Sequence, residues 1–186
     1  HAELYGGDCS CSPSGNRIEN GLVGSYTALG LLVLKVLGSG RSGRGIIAGL
    51  QGGGDLCIEG GIVDDVLVYR FSETKYMLCV NAANIAKDWA HILKYGEQFG
   101  MREGVELENA SDRICQLAIQ GPLAMKIVQK MCAEPVEDME YYTFRQMEVA
   151  GCDSILSITG YTGAGGCEIY LHNADAEKMW NALWAA

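Results

Sequence analysis

The 186 residues carry 48% hydrophobic and 20% charged side chains with three prolines, a mix that can build a core and excludes a disordered chain. Lys and Arg number 14 against 23 Asp and Glu, a formal charge of -9, so the cationic footprint of a nucleic-acid binder is missing. The length suits one ordinary domain or part of a larger protein.

Two kinds of sequence join near Cys57. Residues 1–57 hold 14 of the 25 glycines, balance four acids with four bases, and lack Phe and Trp, so the whole negative charge falls in 58–186. The first segment reads as Gly-rich and either flexible or derived from a misread coding region. Its run Gly38-x-Gly40-x-x-Gly43 has the spacing of a phosphate-cradling loop, but the residues after Gly43 are too Gly-rich for the helix such a loop needs. His1 in place of Met, and a last helix without a stop signal, point to a partial chain.

From Ile58 the pattern turns regular. A β-branched and aromatic strand is expected over 62–71, a hairpin loop over 72–75 and a second strand over 76–80. Asn84 then reads as the N-cap of a helix that Gly100 stops, with Ile85, Trp89, Ile92 and Leu93 inward and Lys87, Asp88 and Lys94 in solvent. Strands are expected next over 105–108 and 114–120. A helix starts at Gly121-Pro122 with Leu123, Ile127, Val128 and Met131 inward. The acidic run Glu134, Glu137, Asp138 and Glu140 reads as a solvated loop. Three more strands (144–149, 154–159, 167–171) precede a helix opened by Asn173, whose apolar face is Ala176, Met179, Trp180, Leu183 and Trp184. Strand pairs alternating with single helices predict an α+β fold with a mixed, largely antiparallel sheet.

Of eight cysteines only Cys9 and Cys11 are close, and no Cys-x-x-Cys pair occurs, so no metal site is expected. Five lie in apolar runs, which suits buried free thiols and a reducing, cytoplasmic setting. No stretch reads as a membrane span, since residues 22–37 are broken by Ser25, Thr27 and Lys35, and no membrane partner is expected.

Three motifs could carry chemistry. In Gly60-Gly-Ile-Val-Asp64-Asp65, adjacent acids on a strand face opposite sides, so one turns inward and either finds partners or waits for an N–H-bearing ligand. The bland alternative is a turn with one solvated acid. In Gly160-Tyr161-Thr162-Gly163-Ala164-Gly165-Gly166-Cys167-Glu168, a tyrosine and a carboxylate flank a tight Gly-rich turn and could hold a flat heterocycle. A plain hairpin is the alternative. Asn81, in Val-Asn81-Ala-Ala-Asn84, is a polar group at a strand end that capping leaves spare. His91 reads as a boundary side chain, and no Gly-x-Ser-x-Gly nucleophile elbow occurs.

Taken together, Gly-Gly-Ile-Val-Asp-Asp-Val-Leu-Val-Tyr (60–69), Val-Asn-Ala-Ala-Asn (80–84) and Gly-Tyr-Thr-Gly-x-x-Gly-x-Glu (160–168) resemble the aminomethyltransferase, or T-protein, family of the glycine cleavage system. Leu-Ala-Ile-Gln-Gly-Pro (117–122) and Tyr-Tyr-Thr-Phe (141–144) fit in the same order. The resemblance covers 58–186 and implies part of the folate-binding aminomethyltransferase fold. It also implies tetrahydrofolate as co-substrate, and transfer of a one-carbon unit from the aminomethyl-lipoyl arm of the H-protein with release of ammonia. By the same resemblance Asp65 is the key carboxylate near the reacting folate nitrogens, stabilising an iminium-like carbon or relaying protons. Glu168 holds the pteridine, and Tyr69, Asn81 and Tyr161 line the site. Tyr69, four residues after Asp65, lies on the same strand face. The alternatives are a folate-dependent demethylase on the same fold, a non-catalytic folate-binding module and an inactive fragment.

Overall fold

A computed structural model describes residues 16–18, 21–26, 30–35, 54–58 and 61–186, and the side chains from Val63 onward. In chain order its strands are β1 (Asn16–Ile18), β2 (Gly21–Tyr26), β3 (Gly30–Lys35), β4 (Gly54–Ile58), β5 (Gly61–Arg70) and β6 (Lys75–Val80), followed by helix α1 (Ile85–Gln98). Then come β7 (Leu107–Asn109), β8 (Ile114–Gln120), helix α2 (Ala124–Gln129), β9 (Phe144–Val149), β10 (Cys152–Ser157), β11 (Gly166–His172) and helix α3 (Ala176–Ala185). The described residues fall into two units, one drawn from 30–112 and the other from 16–26 and 113–186.

The first unit is a five-stranded sheet in the order β4-β5-β6-β3-β7, antiparallel at every ladder. The β5–β6 hairpin closes where Phe71 and Ser72 N–H groups donate to the Lys75 carbonyl at 2.9 and 3.2 Å. The register pairs Leu67 with Cys79 and Arg70 with Tyr76. A 3-10 turn, Ala82–Asn84, leads into α1. Val66, Leu78 and Val80 from the sheet meet Ile92, Met101 and Leu107 in the core. A side chain at Gly96 would strike Leu107 Cδ1 at 2.6 Å, so glycine is what lets α1 lie close on the Leu107 side chain. Gly100, at φ +74, ends the helix as expected.

One face of α1 departs from its sequence reading. Asp88, expected among solvated Lys87 and Lys94, is 0% exposed and shares the buried stripe of the helix with Ile92 and Gly96. The three are spaced i, i+4, i+8, which is the helical repeat itself. Hydrophobic patterning misplaced the residue because its partner is a polar group on the sheet.

The second unit is a six-stranded sheet ordered β1-β2-β8-β11-β10-β9, again antiparallel throughout. Ala150 and Gly151, at φ 52 and 71, form the two-residue turn of the β9–β10 hairpin, where left-handed backbone matches the strand twist. Alternation sorts the central strands cleanly. Cys115, Leu117 and Ile119 of β8 and Cys167, Ile169 and Leu171 of β11 enter the core with Ala124, Ile127, Val128, Met179 and Leu183 of the helices. Their neighbours Gln116, Gln120, Glu168 and Tyr170 take the opposite face. Trp184, expected on the apolar face of α3, is 52% exposed, while Met179 and Leu183 fill that face.

The fold is α+β with antiparallel ladders, as the strand and helix pattern indicated, although the strands divide between two sheets. Among the described cysteines Cys79, Cys115, Cys152 and Cys167 are buried and Cys132 is half-buried, all with free thiols. No helix among the described residues is long and apolar enough to cross a membrane.

Candidate functional site

The first cluster sits where β5 and β6 run side by side. Alternation along β5 turns Asp64 inward, 6% exposed, and leaves Asp65 in solvent. Continuing the register from Leu67↔Cys79 sets Asn81 opposite Asp65. The Asn81 amide nitrogen donates to Asp64 Oδ1 at 2.9 Å, to Asp65 Oδ1 at 3.1 Å and to the Asp65 carbonyl at 3.2 Å. Its backbone N–H reaches Asp64 Oδ2 at 3.4 Å. Asn84 occupies the N-cap position of α1 without capping it, because its amide donates instead to Asp64 Oδ1 at 2.9 Å.

Burial alone would raise the Asp64 pKa, but the bonds from Asn81 and Asn84, with the neighbouring Asp88 carboxyl, outweigh it and hold the carboxyl below its ordinary range. Asp88 goes the other way. Burial, then the neighbouring Asp64 carboxyl and its negative charge, push it up to about 7 against the weaker pull of Lys87. Among the described residues neither Asp88 oxygen meets a hydrogen-bond donor. Lys87 Nζ comes only to 4.0 Å of Oδ1 and donates at 2.6 Å to the Val63 carbonyl.

Tyr69 shares the strand face of Asp65 by alternation and is 2% exposed. The structure thus joins Asp65 to Asn81 directly, and places Tyr69 four residues along the same strand.

A second cluster lies on the polar face of the other sheet. Glu168, 8% exposed, faces Ser157 of β10 and Ala118 of β8. Its Oε2 accepts from Thr159 Oγ1 at 2.5 Å and from the Tyr170 hydroxyl at 3.1 Å. Thr159 is paired with Ser157 at 2.9 Å, and Gln116 Nε2 donates to the Tyr170 hydroxyl at 3.1 Å. Both bonds to Glu168 fall on one oxygen; Oε1 receives none among the described residues. The Gly-rich loop before it is fixed by contact rather than by freedom alone. A side chain at Gly166, φ +134, would meet the Ile119 carbonyl at 2.2 Å, and one at Gly160 would meet Gln120 Oε1 at 2.3 Å. Gln120 in turn bonds the Cys167 carbonyl and Thr162 Oγ1, each at 3.1 Å.

Tyr161, in that loop, is 88% exposed. Tyr141 and Tyr142 form an exposed edge-on pair with centroids 4.5 Å apart, and Tyr142 is held at φ 62. The Tyr141 hydroxyl is raised by desolvation, by its bond and charge interaction with Tyr142, and by the charge of Glu168.

Sequence reasoning singled out Asp65, Asn81 and Glu168 as candidates but did not pair them with Asp64, Asn84, Asp88, Thr159 or Gln116. Only Tyr170 carried a local signal, its spacing of two from Glu168 on one strand face. The Gly38–Gly43 loop and Cys9 and Cys11 lie outside the described residues. Among the described residues no group of three or more His, Cys, Asp or Glu could hold a metal ion.

Comparison with known proteins agrees with this frame. Residues 56–186 match the GCVT N-terminal domain. An aminomethyltransferase of Porphyromonas gingivalis is 50% identical over 129 residues, 69% of this chain and 34% of that protein. One from Phocaeicola vulgatus matches at 50% with the same coverage, and one from Exiguobacterium sibiricum at 47% over 132 residues, 70% of this chain and 35% of the relative. The chain thus spans about a third of the length of these curated relatives. In fold it resembles the glycine cleavage system aminomethyltransferase T of Bartonella henselae, with a TM-score of 0.71 at 23% identity over 88% of this chain and 45% of that one. It also resembles heterotetrameric sarcosine oxidase of Corynebacterium sp. U-96, with a TM-score of 0.66 at 15% identity over 88% and 81%. With the GCVT N-terminal domain matched over most of its length, the chain belongs to the aminomethyltransferase family.

Proposed function

We propose that residues 58–186 belong to a tetrahydrofolate-dependent aminomethyltransferase of glycine cleavage. Such an enzyme moves a one-carbon unit from the aminomethyl-lipoyl arm of an H-protein to tetrahydrofolate and releases ammonia. The observation that carries this reading is Asp65, a solvent-facing residue that Asn81 holds at one carboxylate oxygen and at the backbone carbonyl. A fixed anion of this kind can orient a folate nitrogen, stabilise positive charge on the one-carbon unit and accept or return a proton.

The donor set also suits the pteridine. Glu168 is anchored through Oε2 and keeps Oε1 for an N–H-bearing ring edge, and Tyr161 offers an aromatic face in the adjoining loop. Tyr69 from β5 and Asn81 at the end of β6 complete the proposed lining of the folate site, and Asn81 also bonds Asp65. Tetrahydrofolate supplies the nitrogens that take up the carbon; the protein supplies orientation and charge. A cytoplasmic setting fits the free thiols.

Anaerobic titration of reduced folate into the protein tests the reading, beside Asp65→Asn and Glu168→Gln. Saturable binding that weakens in both variants supports it, and absence of binding by a folded protein overturns it. Turnover that requires lipoylated H-protein separates this activity from a folate-dependent demethylase.

A further inference from the structure

Asp88 is a fully buried acid that neither capping nor an ion pair at close range accounts for. It lies on the inward stripe of α1, 0% exposed, with both oxygens out of reach of any N–H or hydroxyl donor among the described residues. The charged groups acting on it are Asp64 of β5 and Lys87 of its own helix. Lys87 is half exposed and 4.0 Å away, and its short bond goes to the Val63 carbonyl. As an anion, Asp88 would set two unsatisfied buried oxygens beside a second carboxylate, an arrangement that is costly in a medium of low polarity. As a neutral acid it has one O–H to give, and Asp64 has room to take it. Asp64 Oδ1 already receives Asn81 and Asn84 at 2.9 Å, while among the described residues Oδ2 holds only the long 3.4 Å contact from the Asn81 N–H.

We propose that Asp88 is a positioning residue: a neutral buried acid that donates its proton to Asp64 and so fixes the asparagine clamp that aims the Asp65 carboxylate. Asn84, one helical turn before Asp88, bonds Asp64 at 2.9 Å and so sets α1 against that carboxylate; from Asp64 the contacts run to the Asn81 amide, and from that amide to Asp65 Oδ1 and the Asp65 carbonyl. One proton is held between two acids, and the ionised member gathers the amides. No proton leaves the pair in this role; it is held, not transferred. Asp88 touches no reacting atom, and its consequence for folate rests on the function proposed for Asp65.

Carboxyl-carbon NMR over pH 4 to 9 tests the proposal on the whole protein. Asp88 should remain protonated at pH 6, where Asp64 is already ionised; titration of Asp88 below pH 5 overturns it. Asp88→Asn keeps a donor for Asp64, so the side-chain amide resonances of Asn81 and Asn84 should stay at their native positions. Asp88→Leu removes the donor and should move both. If Asp88→Asn shifts these resonances as far as Asp88→Leu, or if Asp88→Leu shifts neither, the proposal fails. Should Asp88→Leu not fold, the wild-type titration and the Asn81 and Asn84 resonances of Asp88→Asn still decide the matter.

Reduced folate added to the same samples separates the two readings. Binding should weaken about tenfold in Asp88→Leu and stay within about twofold in Asp88→Asn, the scale of one hydrogen bond lost or kept. A wild-type protein that shows the clamp and binds no folate removes the folate reading and leaves the role of Asp88 standing. One that binds folate with Asp88 ionised at pH 5 removes the role of Asp88 alone.

Discussion

Asn81 grips Asp65 twice, at a carboxylate oxygen 3.1 Å away and at the backbone carbonyl 3.2 Å away. The same nitrogen reaches Asp64 at 2.9 Å. Two acids that alternation sends to opposite faces of one strand are therefore read by one amide at the end of the next. The exposed acid gains a fixed direction without being buried, which a group meant to meet a charged or polar ligand requires.

Asp65→Asn should separate function from stability. Its carboxylate faces solvent, so thermal unfolding should move by no more than about 2 °C. Turnover by the proposed reaction should fall by about a hundredfold or more, the scale of a lost acid–base or charge-stabilising group. Steady-state rates and melting curves on one preparation check both parts.

Asn81→Leu should do the reverse at Asp64. It removes one of the two 2.9 Å bonds to a carboxylate that is 6% exposed, which costs about 1–3 kcal/mol for a buried group left short of a partner. Urea denaturation reads this, with Asp65→Asn as the near-neutral control. Equal stability of the two variants would show that Asn84 alone satisfies Asp64.

Asp88 gives stability a sign in pH. Its folded carboxyl is raised to about 7 from an unfolded value near about 3.9. Below about pH 4 the acid is protonated in both states and its contribution is complete. From there to about pH 7 the unfolded chain sheds a proton that the folded protein keeps, so the contribution declines and is lost as pH passes the folded value. Asp64, held low, acts oppositely in more acidic solution and is common to wild type and variant. Asp88→Asn should therefore gain stability relative to wild type as pH rises through this window, by about 1 kcal/mol per unit. Paired denaturation curves at pH 4.5 and 6.5 measure the difference.

Gly166→Ala should disrupt the loop before Glu168. The backbone there has φ +134, and the added carbon would lie 2.2 Å from the Ile119 carbonyl, a main-chain atom of a central strand that cannot swing aside. A loss of about 3 kcal/mol or more is expected. Gly163→Ala is the informative control, since its φ is +73 with open space around it, so it carries backbone strain without the clash. Urea denaturation of the two variants beside wild type measures the gap between them.

Most of the elements from β5 onward were legible because their burial keeps a simple period. β8 and β11 alternate, and α1 and α3 repeat every three to four residues. What was hidden is long-range polar pairing. Asp88 looked like a surface residue because it is charged and follows Lys87, yet the carboxyl that acts on it stands 24 positions away on β5. Asn84 looked like a cap, and its side chain prefers the same carboxylate. Thr159, Tyr170 and Gln116 converge on Glu168 only once β8, β10 and β11 are in register. Asp65, Glu168 and Asn81 stood out in the sequence as polar residues at the ends of apolar strands; the side chains that bond them carry no such local signal.

The ladder of β8 has a consequence for how the molecule comes into being. On one edge Leu22 pairs with Gln120, and on the other Gly166 pairs with the same residue. The second sheet thus joins stretches of chain nearly 100 residues apart at one edge and over 40 apart at the other, while the β5–β6 hairpin closes locally. During synthesis the hairpin can zip as soon as it emerges. β2 must wait with an open edge for β8, and β8 for β11, which makes this interval the slow and association-prone phase of folding.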